Sequence, residues 1–182
     1  MKYDGVAIKQ LKENSSWYML LGIGLILLGT LAIYYALYTT LFSILYLGAL
    51  LTVLGVFEFV KSFKINKWDN FFLHFFLGIL YIVGGLFAIF NPAINAIMLT
   101  LLMSIFFIVT GIAKIAFALG RNVPHKGLML FNGTVALVLG GLILAQWPYS
   151  GFWVIGMFVG IDMILTGWSW IWLSMLAKKL RA

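Results

Sequence analysis

The sequence has no cysteine, only three prolines and few charged residues. Without cysteine the chain has no disulfide framework, no thiolate nucleophile and no cysteine-based metal site. Charged residues make up 9% of the 182 residues and hydrophobic residues 64%, whereas soluble domains are about a quarter charged and about half apolar. An ordinary soluble domain is therefore excluded, because such a fold could not cover so much apolar surface.

The charged residues divide the chain into three long stretches. Residues 14–57 and 70–113 contain no charge, and residues 127–177 contain only Asp162. A spanning helix needs about 20 residues, so each stretch holds two helices and a tight turn. The six predicted spans are residues 17–36, 42–61, 71–90, 95–115, 128–147 and 152–174. The predicted turns within the pairs are residues 37–41, 91–95 and 148–151.

All basic residues lie on one side of the predicted bilayer. The three turns contain no charge, while the tails and the connections between the pairs hold all twelve Lys and Arg residues. Cytoplasmic segments carry such an excess. The pattern predicts a multi-pass protein with both termini in the cytoplasm, residues 1–16 and 176–182 being its tails. Orientation also accounts for the net charge of +7, so the expected partner is the lipid bilayer and no nucleic acid is expected.

Small residues recur at matched positions in all six spans. They form pairs seven residues apart, and the pattern repeats after 55 or 56 residues. The pairs are Gly22 and Gly29, Gly48 and Gly55, Gly78 and Gly85, Ser104 and Gly111, Gly133 and Gly140, and Gly160 and Gly167. Seven residues is almost two helical turns, so each pair marks one helix face. Because small residues let helices approach closely in lipid, we interpret these positions as helix-packing seams.

The repeats predict an all-α membrane protein made of three parallel two-helix hairpins with approximate threefold pseudo-symmetry. The repeats are residues 17–63, 70–119 and 126–175, and each inserts the same way up because it contains two spans. Gly156 and Gly160 add a GxxxG face on the sixth span. This face either packs inside the chain or supports a homo-oligomer through the sixth helix.

Asp162 is the one charged residue well inside a predicted span. It lies ten residues past Phe152, roughly 15 Å into a hydrocarbon core about 30 Å thick. Carboxyl groups at this depth are costly and are candidates for function. Two interpretations remain open: a neutral carboxyl that hydrogen-bonds a neighbouring helix, or a group in a proton or solute pathway.

Few other residues could carry chemistry. Glu58 and Lys114 each follow a matched glycine by three residues, so they either extend separately to the headgroups or form an ion pair with each other. His74 and His125 are the only histidines, and they predict no metal site. No serine has a histidine and an acid at a plausible depth, and no phosphate-binding glycine loop is present. Neither an enzyme nor a cofactor is expected.

The third hairpin, WPYSGFWVIGMFVGIDMILTGW from Trp147, resembles the corresponding hairpin of the HdeD family of bacterial membrane proteins. The earlier hairpins agree, with GIGLILLG from Gly22 and a turn at Asn91. The resemblance covers about residues 17–175 and implies a six-helix inner-membrane protein, in a family whose named member is linked to acid resistance. We expect a role in acid or envelope stress tolerance. The alternatives are a small-solute or proton transporter or channel that uses Asp162, and a passive membrane assembly partner.

Overall fold

The computed structural model describes residues 15–64, 68–120 and 126–179, and every regular element within them is helical. The helices are α1 Ser15–Tyr34, α2 Ala36–Ser62, α3 Trp68–Phe90, α4 Pro92–Gly120, α5 Lys126–Ala145 and α6 Val154–Lys179, with a 3₁₀ turn at Tyr149–Phe152. In this part of the chain, six helices are long and apolar enough to cross a membrane. The predicted number of spans is therefore confirmed, and the protein is a multi-pass membrane protein. Most of the two predicted tails lies outside the described residues.

The first two turns are shorter than predicted. Residues 37–41, predicted as a turn, are helical because α2 already begins at Ala36, so only Tyr35 separates α1 from α2. Asn91 alone separates α3 from α4, and Pro92 is the first residue of α4. Proline is tolerated there because the N–H that it lacks would have no partner in the first helical turn.

One polar side chain at each turn bonds back to the preceding helix. Thr39, Asn95 and Ser150 donate to carbonyl oxygens seven or eight residues earlier, at 3.1, 3.2 and 2.8 Å. The carbonyl groups at the end of a helix lack a helical donor, and the bonds from Thr39 and Ser150 supply one; the carbonyl of Phe87 also accepts from the backbone N–H of Asn91 at 2.9 Å. The three residues recur at the spacing of the glycine repeat, 55 or 56 residues.

The chain divides into two compact units. The first contains the described residues up to Thr39 and those from Gly156 onward, and so holds α1 and nearly all of α6. The second is Thr40–Ile155, and it holds most of α2 together with α3, α4 and α5.

In the first unit, α1 and α6 run antiparallel and meet glycine to glycine. Gly22 lies against Gly167, and Gly29 lies against Gly160. A Cβ atom on any of these four glycines would lie 2.6–2.8 Å from the opposing carbonyl oxygen. Ordinary carbon contacts are about 3.5–4.0 Å, so the close approach of these two helices requires glycine.

The second unit contains two further antiparallel seams of the same kind. Each joins a small residue on one helix to a small residue on the next. The pairs are Gly48 with Gly85 and Gly55 with Gly78 between α2 and α3, and Gly111 with Gly133 and Ser104 with Gly140 between α4 and α5. The seams therefore join helices that the prediction assigned to neighbouring hairpins.

The residue four positions after each small residue completes the seam. It is usually isoleucine and covers the glycine of the opposing helix. A Cβ on Gly29, for example, would lie 2.8 Å from Cγ1 of Ile164, which follows Gly160 by four residues. A helical side chain four positions on lies on the same face one turn later, so each helix supplies both the small residue and the residue that fills the opposite groove.

Candidate functional site

An ionisable pair joins α2 to α3 near the side of the chain that carries the basic residues, called here the basic side. Glu58 follows Gly55 by three residues, and His74 precedes Gly78 by four. Because Gly55 packs on Gly78 and the helices are antiparallel, this register brings the two side chains together. Nδ1 of His74 lies 2.6 Å from Oε2 of Glu58. The side chains of His74 and Glu58 are 24% and 29% exposed, respectively, so both are largely buried.

The chemistry of the groups fixes the direction of this hydrogen bond. An ionised carboxylate can only accept, so Nδ1 of His74 carries the proton when Glu58 is charged. Nζ of Lys61 lies 3.6 Å from the other carboxylate oxygen, Oε1. The Lys61 side chain is 58% exposed, and exposed pairs of this kind contribute little to stability. The histidine is thus the main partner of Glu58.

Phenylalanine rings surround the same end of the two helices. Phe59 on α2 and Phe63, the residue directly after α2, pack against Phe71 and Phe75 on α3, and the centroids of contacting rings lie 5.2–6.4 Å apart. His74 precedes Phe75 directly in the sequence. Aromatic rings bury a large apolar area and favour such tilted and edge-on packing. The cluster fixes the approach of α2 to α3 and places the ionisable pair beside an apolar surface.

Different residues occupy the positions equivalent to Glu58 and His74 in the other two seams. Between α1 and α6 it is occupied by the stacked rings of Tyr18 and Trp170, whose centroids lie 5.3 Å apart. Between α4 and α5 it is occupied by Lys114 and Met129. Packing of a glycine seam therefore does not require an ionisable pair, and this makes Glu58 and His74 candidates for function.

Lys114 does not pair with Glu58 within the described residues. It is exposed, and the carboxylate of Glu58 contacts His74 and Lys61 instead. Of the two sequence alternatives for Glu58 and Lys114, a mutual ion pair is thus not formed there. The partnership of Glu58 with His74 was missed, although the seam register in the sequence could have indicated it.

Asp162 is exposed on α6. It lies on the opposite side of the helix from the seam with α1, because the two residues from Gly160 turn the helix by about 200°. Its carboxyl group forms no hydrogen bond and no ion pair within the described part of the chain.

Gly156 and Gly160, the GxxxG face of the sixth span, pack inside the chain. A Cβ on Gly156 would collide with the carbonyl group of Ala36, and a Cβ on Gly160 would lie 2.5 Å from Cγ1 of Ile33. Both contacts are with residues of the first unit. This face of α6 is therefore occupied by the chain itself.

A cleft of about 370 Å³ lies between α2, α3 and α4 in the second unit. Its lining is apolar except for Asn95. The side-chain amide of Asn95 already donates to the carbonyl oxygens of Asn91 and Phe87, at 2.9 and 3.2 Å. The cleft offers a charged ligand no charged partner.

A family described as a short repeat of unknown function, DUF308, matches residues 20–90 and again residues 76–145. The chain belongs to the DUF308 family. The starts of the two matches are 56 residues apart and their ends 55, as the glycine pattern predicts. The first match contains the whole α2–α3 seam of this DUF308 protein and the second the whole α4–α5 seam, while α6 lies outside both. No curated protein and no solved structure matches the chain.

Proposed function

We propose that this DUF308 protein is a non-enzymatic protein of the bacterial inner membrane that supports survival in acid, with both termini in the cytoplasm. HdeD proteins belong to the same family, and the third hairpin resembles theirs. The observation that carries the proposal is the 2.6 Å hydrogen bond between Glu58 and His74, because it joins two spanning helices through two ionisable side chains on the basic side.

Both side chains of this contact belong to types that bind protons in acid. Imidazole groups in general change charge between pH 5 and 8, and carboxylates do so at lower pH. Lys61 is the other charged side chain within ion-pair distance of Glu58 among the described residues. Acid entering the cytoplasm would thus change the charge and strength of the α2–α3 contact.

We also propose that the three hairpins are related by approximate threefold pseudo-symmetry. Its support is the recurrence of the turn residues Thr39, Asn95 and Ser150 at the repeat spacing, each with a hydrogen bond to the preceding helix.

Complementation of a deletion strain tests the proposed function. We expect deletion of the gene to lower survival after acid challenge at least about tenfold, and the wild-type gene to restore it. Glu58→Gln should fail to restore survival, because glutamine keeps an oxygen that accepts from His74 but does not titrate. His74→Gln should also fail, because its side-chain amide can still donate to Glu58 but does not gain a charge in acid. Each variant must reach the membrane at the wild-type level.

Lys114→Gln is the matched control, since Lys114 occupies the equivalent seam position on α4. It should restore survival fully. Unchanged survival of the deletion strain would refute the acid-tolerance proposal. Full restoration by Glu58→Gln would show instead that acid tolerance does not depend on this pair.

A small-solute or proton pathway is the second candidate function. The observation that favours it is the Asp162 carboxyl, which lies inside α6 without a partner among the described residues. Purified protein in liposomes should then carry a proton or solute flux that Asp162→Asn lowers at least about tenfold. A flux equal to that of empty liposomes, or one unaffected by Asp162→Asn, would eliminate this candidate.

A further inference from the structure

Three polar side chains form an exposed line on α6. Thr166 and Ser169 follow Asp162 by four and seven residues, and so lie within about 40° of it around the helix. All three residues are exposed. We name Asp162, Thr166 and Ser169 the polar stripe. It begins eight residues after Val154, the first residue of α6, or about 12 Å along the helix axis.

Two members of the polar stripe differ from hydroxyl groups that are satisfied within their own helix. The hydroxyls of Thr30, Thr134 and the stripe residue Ser169 each donate to a carbonyl oxygen of their own helix, at 2.8–3.0 Å. Neither the Asp162 carboxyl nor the Thr166 hydroxyl forms a hydrogen bond within the described part of the chain. A polar group that faces hydrocarbon without a partner costs several kcal/mol, so this surface requires a partner that can form hydrogen bonds.

We propose that the polar stripe is the contact surface for a second copy of this chain. Identical chains insert the same way up, so a second copy presents the same three side chains at the same depth. Asp162 and Thr166 lie about one turn, or 6 Å, apart along the axis. Around a twofold axis along the membrane normal, the Asp162 carboxyl of each copy accepts from the Thr166 hydroxyl of the other.

The structure favours a second copy over lipid headgroups as the partner, and the polar stripe over the GxxxG face as the contact surface. Lipid headgroups lie at the membrane surface, whereas Asp162 lies more than two helical turns into α6. The GxxxG face, the other surface of α6 suited to helix association, is already covered by Ala36 and Ile33. The contact between copies is therefore assigned to the opposite side of the helix. This inference goes beyond the proposed acid tolerance and does not depend on it.

Single cysteines can report this contact because the chain has none of its own. Ser169→Cys replaces a stripe residue with a side chain of similar size. Trp168→Cys is the matched control: Trp168 is 62% exposed and lies at nearly the same depth, but about 100° around the helix. After oxidation in native membranes we expect a disulfide-linked dimer of Ser169→Cys, and at least about fivefold less dimer for Trp168→Cys.

A second substitution tests the carboxyl itself. In the Ser169→Cys background, Asp162→Leu removes one hydrogen bond from each copy and should weaken dimerisation about 30- to 900-fold, the value of two interhelical hydrogen bonds in model peptides. Asp162→Asn should restore the dimer, because the amide still forms hydrogen bonds, and this controls for misfolding. Absence of the Ser169→Cys dimer, equal cross-linking at both positions, or an undiminished dimer in the Asp162→Leu chain would each overturn the proposal.

Discussion

Gly84 and Gly85 are neighbours on α3, but only Gly85 faces α2. A Cβ on Gly85 would lie 2.6 Å from the backbone nitrogen of Thr52 and 2.7 Å from the carbonyl oxygen of Gly48. It would also collide with the Thr52 hydroxyl, which is held in place by a 2.8 Å bond to Gly48. A Cβ on Gly84 would meet no atom within 4 Å. Alanine substitution at the two positions therefore isolates the effect of helix approach.

The difference in stability can be worked out from these distances. To accept alanine at Gly85, the helices must separate by roughly 1 Å to restore ordinary contact distances. Overpacking of this kind costs about 1–3 kcal/mol. Gly84→Ala has open space and gains about 0.5–1 kcal/mol, because alanine loses less conformational freedom in a helix than glycine does. The gain from replacing a helical glycine applies at both positions and cancels, so Gly85→Ala should be less stable than Gly84→Ala by about 1–3 kcal/mol.

Reversible unfolding by SDS in mixed micelles, followed by tryptophan fluorescence, measures this difference in the free energy of unfolding. The wild-type protein should lie between the two variants. If both variants unfold at the same free energy to within about 0.5 kcal/mol, the size expected for neutral surface changes, the seam does not depend on glycine and the reasoning fails.

Three further predictions use the same unfolding assay. Gly29→Ala should lower the free energy of unfolding by about 1–3 kcal/mol and Gly24→Ala should not, because a Cβ on Gly24 meets nothing within 4 Å; equal losses would contradict this. Thr100→Val should raise it by about 1 kcal/mol, because the buried Thr100 hydroxyl has no partner in the described part of the chain; a loss would show that the hydroxyl is satisfied. Ser150→Ala should lower it by about 1–2 kcal/mol through loss of the buried 2.8 Å bond to the preceding helix, and no change would count against a role for this bond in the turn.

The number of spans could be predicted from charge placement, but the position of the first turn could not. Residues 37–41 contain no charge, no proline and no glycine, so the sequence does not show where α1 ends. The turn at Tyr35 instead depends on a hydrogen bond between Thr39 and α1. Asn91 and Pro92 mark the next turn correctly, because proline favours the first helical position.

The faces of the helices could be predicted from glycine spacing, but their partners could not. Periodicity within one helix shows which side packs closely and contains no information about which helix covers it. The missing signal was the isoleucine four residues after most small residues, as in Ile33 after Gly29, which indicates reciprocal packing. Once α2 and α3 are aligned antiparallel with Gly55 opposite Gly78, the sequence predicts that Glu58 contacts His74 and not Lys114.

Pairing of the first helix with the last has a consequence for biosynthesis. The α2–α3 and α4–α5 seams join helices that are neighbours in the sequence, so they can close as the chain emerges from the ribosome. The glycine face of α1 must wait for α6, about 140 residues later, which takes roughly 7–30 s at ordinary rates of translation. During that interval the glycine face of the newly inserted α1 is exposed to the membrane. Insertion factors or other nascent chains can bind it.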